Sequence, residues 1–437
     1  MQLLEKTFKL KERNTTVLKE VVGGVTTFFA MAYIIFVNPS FLSVTGMDRT
    51  AVMLATCISA FIGTLLTAFL ANVPFAQAPG MGLNAFFTYT ICLGMGYTWQ
   101  QGLAIVFLSG LIFLAITLSP LRSKIIASIP APLKAAISAG IGLFICLVGL
   151  LNAGIVTANN NLLDLGAITS GAPLLALIGL MITGILMAWK VKGALFIGII
   201  LTTLIGIPMG VTSLENVTVS FEGISMAPSF FKLSFAGLTS LGVLPLITAI
   251  VTFSMCDCFD TVGTLVGTAG SAGMLDKDGN LPGGDRALIA DATATCLGAL
   301  LGTSTVTTFV ESSTGIAEGA RTGLASVVTG LLFLLACVLA PVAGIIPSAA
   351  TAPALIIVGM FMIGNVSKVD WKDPEVALPC FLTIAAMPFS YSISDGIGFG
   401  IISYTLIKVC RGKFKEVPVL MYVLAALFIA MYVLSAM

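Results

Sequence analysis

Three carboxylates, Asp257, Asp260 and Glu311, lie inside long apolar runs or at the broken edge of one. An ionisable side chain at membrane depth costs on the order of 2.5–3.5 kcal/mol on insertion scales, so it is rarely present without a function. Asp257 and Asp260 are three positions apart and would share roughly one face of a helix. Glu311 stands between a β-rich stretch, Thr305–Val310, and a helix-like run, Ser312–Ala320. This arrangement predicts an internal acidic site for a polar solute and a proton.

The composition is that of a membrane protein. Hydrophobic residues make up 57% of the 437-residue chain, charged residues only 9%, and the mean hydropathy is +1.07. Soluble domains carry about 25% charged residues, so we expect many membrane spans and little soluble domain. The net charge of +1, without a basic tract, argues against a nucleic-acid partner. The absence of histidine removes His-based triads, metal sites and proton relays, and leaves Asp and Glu as titrating groups.

The cysteines and the N-terminus add little chemistry. Nine cysteines are scattered in or beside apolar runs, which is typical of small buried side chains rather than disulfides. Cys256 and Cys258 lack the second cysteine pair or histidine that a metal site needs, so no metal is predicted. The segment Met1–Glu20 is polar and lacks the apolar core of a signal peptide. We therefore expect the first apolar run to be retained as a span.

The apolar runs predict fourteen spans and an orientation. A further run, Val417–Met437, spans the membrane or lies on its surface. With the N-terminus inside, every Lys and Arg except Arg49 and Lys232 lies on the inner side, as the positive-inside rule requires. We therefore predict a multi-pass protein of the cell membrane with a cytoplasmic N-terminus. Spans 1 to 14 have the approximate bounds 17–37, 50–71, 75–97, 99–120, 132–152, 172–189, 193–211, 239–267, 287–303, 305–321, 323–346, 350–366, 376–392 and 395–411.

The two halves of the chain resemble each other. Ser109–Pro120 is similar to Thr329–Pro341, and Gly193–Ile205 is similar to Gly396–Ile407. Both matches relate a span to the span seven places later, and because seven is odd, the repeats would be inverted in the membrane. Inverted repeats are typical of alternating-access transporters. Chance similarity between apolar helices is the alternative explanation.

Spans 3 and 10 are interrupted at equivalent places. Span 3 contains Pro74, Pro79, Gly80 and Gly82, which a regular helix does not accommodate together. In span 10, Thr305–Val310 favours a strand, and Ser312, Ser313 or Thr314 would cap a helix. Each span is predicted to be a short strand that becomes a half-helix near the midplane, with N–H donors at its start. A pair of kinked packing helices is the alternative.

Other charged residues are predicted to be structural. Asp291 and Asp395 lie near predicted span ends and are expected to be caps or interface groups. Glu318 and Arg321 are three positions apart and suggest an ion pair at the surface or at an inner gate. The segment Asp276–Asn280 begins like a calcium loop but lacks its glutamate, so we expect Ala269–Arg286 to be a hydrophilic cytoplasmic loop.

Several motifs resemble those of the AzgA-like purine permeases, a branch of the nucleobase–ascorbate transporter superfamily. The motifs are Met31–Pro39, Ala78–Phe87, Phe259–Leu265, Glu311–Gly315 and Gly319–Gly323. The resemblance covers nearly the whole chain. It implies an all-α polytopic membrane protein with 14 transmembrane spans in two inverted 7-span repeats and short strands in spans 3 and 10. It also implies proton-coupled import of adenine, or of hypoxanthine and guanine.

The resemblance further implies two domains, each built from both repeats. Spans 1–4 (residues 1–131) and 8–11 (239–347) would form a core domain. Spans 5–7 (132–238) and 12–14 (348–416) would form a gate domain, and 417–437 an extra C-terminal apolar helix. The expected partners are the purine base, the lipid bilayer and a second copy in a homodimer. No cofactor is expected, and the proton is the coupling ion.

By motif, Glu311, Asp257 and Asp260 would hold the base and couple the proton, with Asn84 nearby. Members of the branch vary at the position of Asp257, so the resemblance supports a role for Asp257 less strongly than a role for Asp260. The predicted substrate-binding residues are Ala78, Gly80, Met81, Asn84, Asp257, Asp260, Phe309, Val310, Glu311 and Ser312.

Two other classes of protein compete with this interpretation. An intramembrane aspartyl protease needs two aspartates on facing helices, whereas Asp257 and Asp260 share one predicted helix, so no enzyme is expected. An anion or other small-solute transporter or channel on the same inverted-repeat architecture is the alternative function. An acid-lined site repels anions and disfavours it.

Overall fold

The computed structural model describes residues 2–119, 128–159, 162–213, 224–276 and 281–435. Three residues used for the orientation, Arg122, Lys124 and Lys277, lie outside these ranges. The chain is mainly helical. In order, the α-helices are α1 (Gln2–Phe8), α2 (Val17–Met31), α3 (Ile34–Leu42), α4 (Arg49–Leu66), α5 (Met81–Ala85), α6 (Trp99–Leu118), α7 (Ala131–Asn152), α8 (Gly171–Ala188), α9 (Ala194–Gly206), α10 (Val243–Ser271), α11 (Gly284–Leu301), α12 (Ser312–Ala317), α13 (Gly323–Ala336), α14 (Ser348–Ile363), α15 (Pro374–Ser390), α16 (Ile393–Cys410) and α17 (Val419–Ser435).

Among the described residues, nine helical segments are long and apolar enough to cross a membrane. Four shorter apolar helices accompany them: Met81–Gly94, Ala194–Gly206, Pro374–Ser390 and Val419–Val433. Large apolar side chains such as Trp189 and Phe389 are exposed on the outer surface, as lipid contact requires. The prediction of an all-α polytopic membrane protein is confirmed, whereas the count of fourteen spans stays a prediction.

Short strands occur where the two interrupted spans were predicted to contain them. Strand β1 (Gln77–Pro79) pairs antiparallel with β4 (Val306–Thr308), and Ala78 lies opposite Thr307. Span 3 continues from β1 into α5 and a π-helix, Phe86–Gly94, while span 10 continues from β4 into α12. A second strand pair, β2 (Val156–Asn159) with β3 (Leu162–Leu165), was not predicted. The strand-to-half-helix interpretation of spans 3 and 10 is therefore correct, and the alternative of two kinked helices is wrong.

Span 1 is longer than predicted. The sequence predicted a span over 17–37, whereas the apolar helical segment covers Val17–Thr45, with a local break at Ala32 and Tyr33 between α2 and α3. Around this break Ile35 N donates to Ala32 O and Phe36 N to Tyr33 O, which tightens the backbone locally. The break places Tyr33 deep inside the protein, where its side chain is 1% exposed.

The helices pack mainly within two sets. Helix α7 packs against α14, α15 and α16, and α14 also packs against α8 and α9. In the other set α6 packs against α10 and α11, while α2 and α4 pack against α13. The strand pair β1–β4 lies in the second set, against α4, α10 and α11. The division into core and gate domains stays a prediction, but the helices that carry the predicted site surround one strand pair.

Candidate functional site

The strand pair continues beyond β1 and β4 through two further backbone hydrogen bonds. Phe309 N donates to Ala76 O at 3.0 Å, and Gly80 N donates to Thr305 O at 3.1 Å. Within the pair, the backbone N–H of Gln77 donates to the hydroxyl of Thr64 on α4 at 2.9 Å. Interrupted backbone at membrane depth is stable only when its polar groups find such partners inside the protein. The pairing of spans 3 and 10 therefore makes both interruptions possible.

Gly80 is required for this close approach. A Cβ atom at this position would lie 2.5 Å from Cγ2 of Thr307 on the paired strand. Its backbone is extended, with φ −74° and ψ 126°, so the requirement is for space rather than for an unusual conformation. Glycine thus lets the two strands lie in contact just before α5 begins.

The start of α12 differs from its prediction. The residue at the N-cap position is Glu311, whose side chain makes no capping hydrogen bond. The expected cap by Ser312, Ser313 or Thr314 is wrong, because the Ser312 hydroxyl instead accepts from Ala76 N at 3.0 Å. The first N–H groups of α12 are not available to a ligand either, since those of Ser312 and Ser313 donate to Phe309 O and Val310 O. The tight turn before the helix uses these donors.

Two of the predicted carboxylates border open space. Asp260 on α10 is exposed, and the open space that it borders is called the recess. Glu311 at the start of α12 is half-buried, and its neighbour Val310 is 54% exposed. The two acids come from different spans and lie close enough for their charges to interact. This arrangement offers two hydrogen-bond acceptors and an apolar side chain to a solute.

An open cavity of about 330 Å³ lies further along the same two helices. This volume is within the range of small-molecule sites, about 300–1,000 Å³. Thr268, in its lining, is eight residues beyond Asp260 on α10, which corresponds to about 12 Å along a helix. The cavity therefore lies between the C-terminal end of α10 and α12. Its lining residues are Thr268, Ala272, Ser313, Ile316, Ala317 and Arg321.

Asp257 lies in a different environment from Asp260. Its side chain is fully buried. Its Oδ2 atom accepts from the Thr295 hydroxyl at 2.8 Å, and this hydroxyl is 3.1 Å from Val306 O on β4. Asp257 thus faces α11 and the strand pair, whereas Asp260 faces the recess. The two aspartates were predicted to share one face of a helix, but Asp257 is buried whereas Asp260 is exposed.

Asp291 is a buried member of the site that sequence reasoning assigned to a cap or an interface. It lies within α11, is fully buried, and accepts hydrogen bonds from the hydroxyls of Thr261 and Thr308, each at 2.8 Å. The side-chain amide of Gln77 adds a third, at 3.2 Å. These donors belong to spans 8, 10 and 3. Asp291, in span 9, is therefore hydrogen-bonded to three other spans. An acid within an apolar run was the signal that could have identified it, as it did Asp257.

A chain of hydroxyls links Asp291 to the strand pair. The hydroxyls of Thr261 and Thr307 are 2.8 Å apart. A hydroxyl has one hydrogen, and that of Thr261 is used on Asp291, so Thr307 donates to Thr261. Buried polar groups are usually hydrogen-bonded, and these bonds hold β4 against α10 and α11.

Tyr33 is a second residue that sequence reasoning missed. Its hydroxyl donates to Oε1 of Glu311 at 2.7 Å. A buried tyrosine hydroxyl usually has a polar partner, and Tyr33 lies within the Met31–Pro39 motif that carried the family resemblance. Composition alone does not name the partner, because it is nearly three hundred residues away in the chain.

The other predicted residues lie along the strand pair. Asn84 on α5 is fully buried and accepts from the Ser304 hydroxyl. Ser304 precedes β4 whereas Glu311 follows it, so the strand lies between Asn84 and Glu311 and the two are not neighbours. The remaining predicted side chains are buried around the pair: Ala78, Met81, Phe309 and Ser312.

The predicted ion pair between Glu318 and Arg321 is wrong. Glu318 pairs with Lys192 at 2.7 Å. The Arg321 guanidinium instead donates to the backbone oxygens of Ile316 and Ala320, each at 2.6 Å, and its backbone N–H donates to Glu20 at 2.8 Å. Because α12 ends at Ala317, the helical spacing of three residues does not apply beyond it.

The fold and the site define a polytopic membrane transport protein with acids from several spans gathered at interrupted segments. The chain belongs to the permease family Xan_ur_permease, whose match covers residues 18–400. It is 44% identical to the guanine/hypoxanthine permease PbuG of Bacillus subtilis, over 98% of each chain. It is 41% identical to the adenine permease AdeP of Escherichia coli, over 98% of this chain and 95% of that one. The resemblance to purine permeases, and the expectation of a transporter rather than an enzyme, are confirmed.

A solved structure shares the fold. The transmembrane domain of the cyanobacterial bicarbonate transporter BicA superposes with a TM-score of 0.64, covering 88% of this chain and 97% of that one. The sequences are 17% identical, so this likeness concerns the fold alone.

Proposed function

We propose that the protein is a proton-coupled symporter that imports purine nucleobases, adenine or hypoxanthine and guanine, across the cell membrane by alternating access. The observation that carries the proposal is that Asp260 and Glu311, from two spans, both reach open space and lie close enough for their charges to interact. Relatives over 40% identical along nearly their whole length are permeases for these bases. The substrate class follows from those relatives and the chemistry from the two acids.

The two acids suit an uncharged planar base. Ring and exocyclic N–H groups of a purine donate to carboxylate oxygens, and such charge-assisted bonds are stronger than neutral ones. Val310 offers apolar contact to a ring face. We assign substrate contact to Asp260, Glu311 and Val310. The buried groups Asp257, Ala78, Gly80, Met81, Phe309 and Ser312 would support the site from behind, and Asn84 would act at the far end of the strand pair.

Proton coupling is assigned to the acids, because the chain has no histidine. Glu311, Asp260 and Asp257 can each bind a proton, and neutralising a carboxylate lowers the cost of moving it through an apolar environment. A loaded carrier that has also taken up a proton would therefore reorient more readily than one that has not.

Alternating access is assigned to motion of the predicted gate domain against the core domain. The cavity near Arg321 would be the inward entrance, because that end carries the basic residues of the predicted cytoplasmic side. A cytoplasmic N-terminus and a homodimer belong to the same proposal.

Transport into proteoliposomes tests the function. The purified protein would be given labelled adenine, hypoxanthine, guanine or uracil, with an inward proton gradient, with a protonophore, or with a sodium gradient only. We expect concentrative uptake of a purine that requires the proton gradient. Glu311→Gln should abolish it, and Glu12→Gln, at an exposed glutamate, is the matched control.

Two results would contradict the proposal. Accumulation that survives the protonophore, or that needs only sodium, would remove proton coupling. Uptake of bicarbonate or another anion in place of every base would favour the alternative of an anion transporter on this fold.

A further inference from the structure

The break in span 1 brings one tyrosine hydroxyl to the carboxylate at the start of α12. Tyr33 Oη lies 2.7 Å from Oε1 of Glu311, and the tyrosine ring is buried. The backbone of Tyr33 is held in turn, because its carbonyl accepts from Phe36 N and Val37 N. The donor is thus fixed at both its backbone and its ring.

Glu311 needs such a partner. It makes no capping bond to α12, and α12 is a short helix joined to β1 through the Ser312 hydroxyl. Without a further contact, its flexible side chain would sample several rotamers beside the open recess, and ordering it on binding costs free energy. A phenol donor on one oxygen fixes the carboxylate and leaves the other oxygen available.

We propose that Tyr33 is a positioning residue of the substrate site: it holds Oε1 of Glu311 so that Oε2 faces the purine. This inference rests on the proposed binding of a base by Glu311. Tyr33 itself is buried behind the acid and acts through it.

Removing only the hydroxyl tests the proposal. Tyr33→Phe keeps the ring and its packing, and the matched control is Tyr97→Phe, a buried tyrosine whose hydroxyl donates to Leu238 O at 3.3 Å. We expect Tyr33→Phe to weaken base binding by roughly 2- to 13-fold, the range for ordering one flexible side chain on binding, with the same thermal stability as the control. In the Glu311→Gln background, Tyr33→Phe should add little further loss.

A second measurement needs no substrate. Infrared difference spectra assign the Glu311 carboxylate band by its loss in Glu311→Gln, and the band should shift in Tyr33→Phe but not in Tyr97→Phe. An unchanged band, or equal binding losses in both backgrounds, would overturn the positioning role. If the wild-type protein bound no base but the Glu311 band still shifted in Tyr33→Phe, the proposed function would be wrong and the hydrogen bond between Tyr33 and Glu311 would be confirmed.

Discussion

Asp257 and Asp260 lie within one turn of α10, yet the carboxylate of Asp257 is sealed against Thr295 whereas that of Asp260 borders the recess. Neighbouring acids on one helix therefore serve different purposes. The buried acid joins α10 to α11 and the strand pair, and the open acid is available to a solute. The predictions below separate these two kinds of role.

Asp260→Asn should reduce purine affinity by roughly 10- to 150-fold, because the amide cannot provide a charge-assisted acceptor or cycle a proton. Expression and thermal stability should stay at the wild-type level, since the side chain is exposed. Binding of labelled base by purified protein measures the loss, and Asp370→Asn, an exposed aspartate, is the control. Wild-type affinity in Asp260→Asn would show that this acid is structural.

Asp291→Ala should lower the melting temperature markedly. It leaves the hydroxyls of Thr261 and Thr308 and the amide of Gln77 without their acceptor, and each unsatisfied buried group costs roughly 1–3 kcal/mol. Asp291→Asn should be milder because it keeps one acceptor oxygen. Thermal unfolding in detergent gives the melting temperature of each variant, and Asp370→Ala is the control. Equal stability of all three variants would contradict the joining role of Asp291.

Gly80→Ala should impair transport because its methyl group would collide with Cγ2 of Thr307. Thr307→Ser removes that methyl but keeps the hydroxyl bonded to Thr261, so the double variant should recover much of the activity. Gly184→Ala, where a Cβ would meet nothing within 4 Å, is the control. The measurement is the rate of purine uptake by the three single variants and the double variant. If the double variant took up purine no faster than Gly80→Ala, the steric cause would be ruled out.

The Lys192–Glu318 ion pair joins a residue of the predicted gate domain to one of the predicted core domain at 2.7 Å. Both side chains are partly exposed, so Lys192→Ala should change stability by about 1 kcal/mol or less. A short thiol linker between Lys192→Cys and Glu318→Cys should instead stop uptake, because it ties the two domains together. Full turnover with this linker in place would contradict motion between them.

Much of the architecture could be predicted from local properties. The apolar runs identified membrane helices because a span must match the bilayer thickness, whatever it packs against. Pro79, Gly80 and the β-rich Thr305–Val310 identified both interruptions, because proline and glycine disfavour helix through their own backbone. These preferences act within a few residues, so they are readable in the chain.

The partners of the site could not be predicted in the same way. The sequence by itself determined that Asp257 and Asp260 lie in an apolar segment long enough to cross a membrane, and it predicted the same for Glu311, since the position of an acid in an apolar run is a local property. Only the tertiary structure decided that Tyr33 holds Glu311, that Asp291 joins three spans, and that Asp260 alone of the aspartate pair borders the recess. These relationships depend on contacts between residues far apart in the chain and on the rotation of each helix against its neighbours, which a helix's own pattern leaves open.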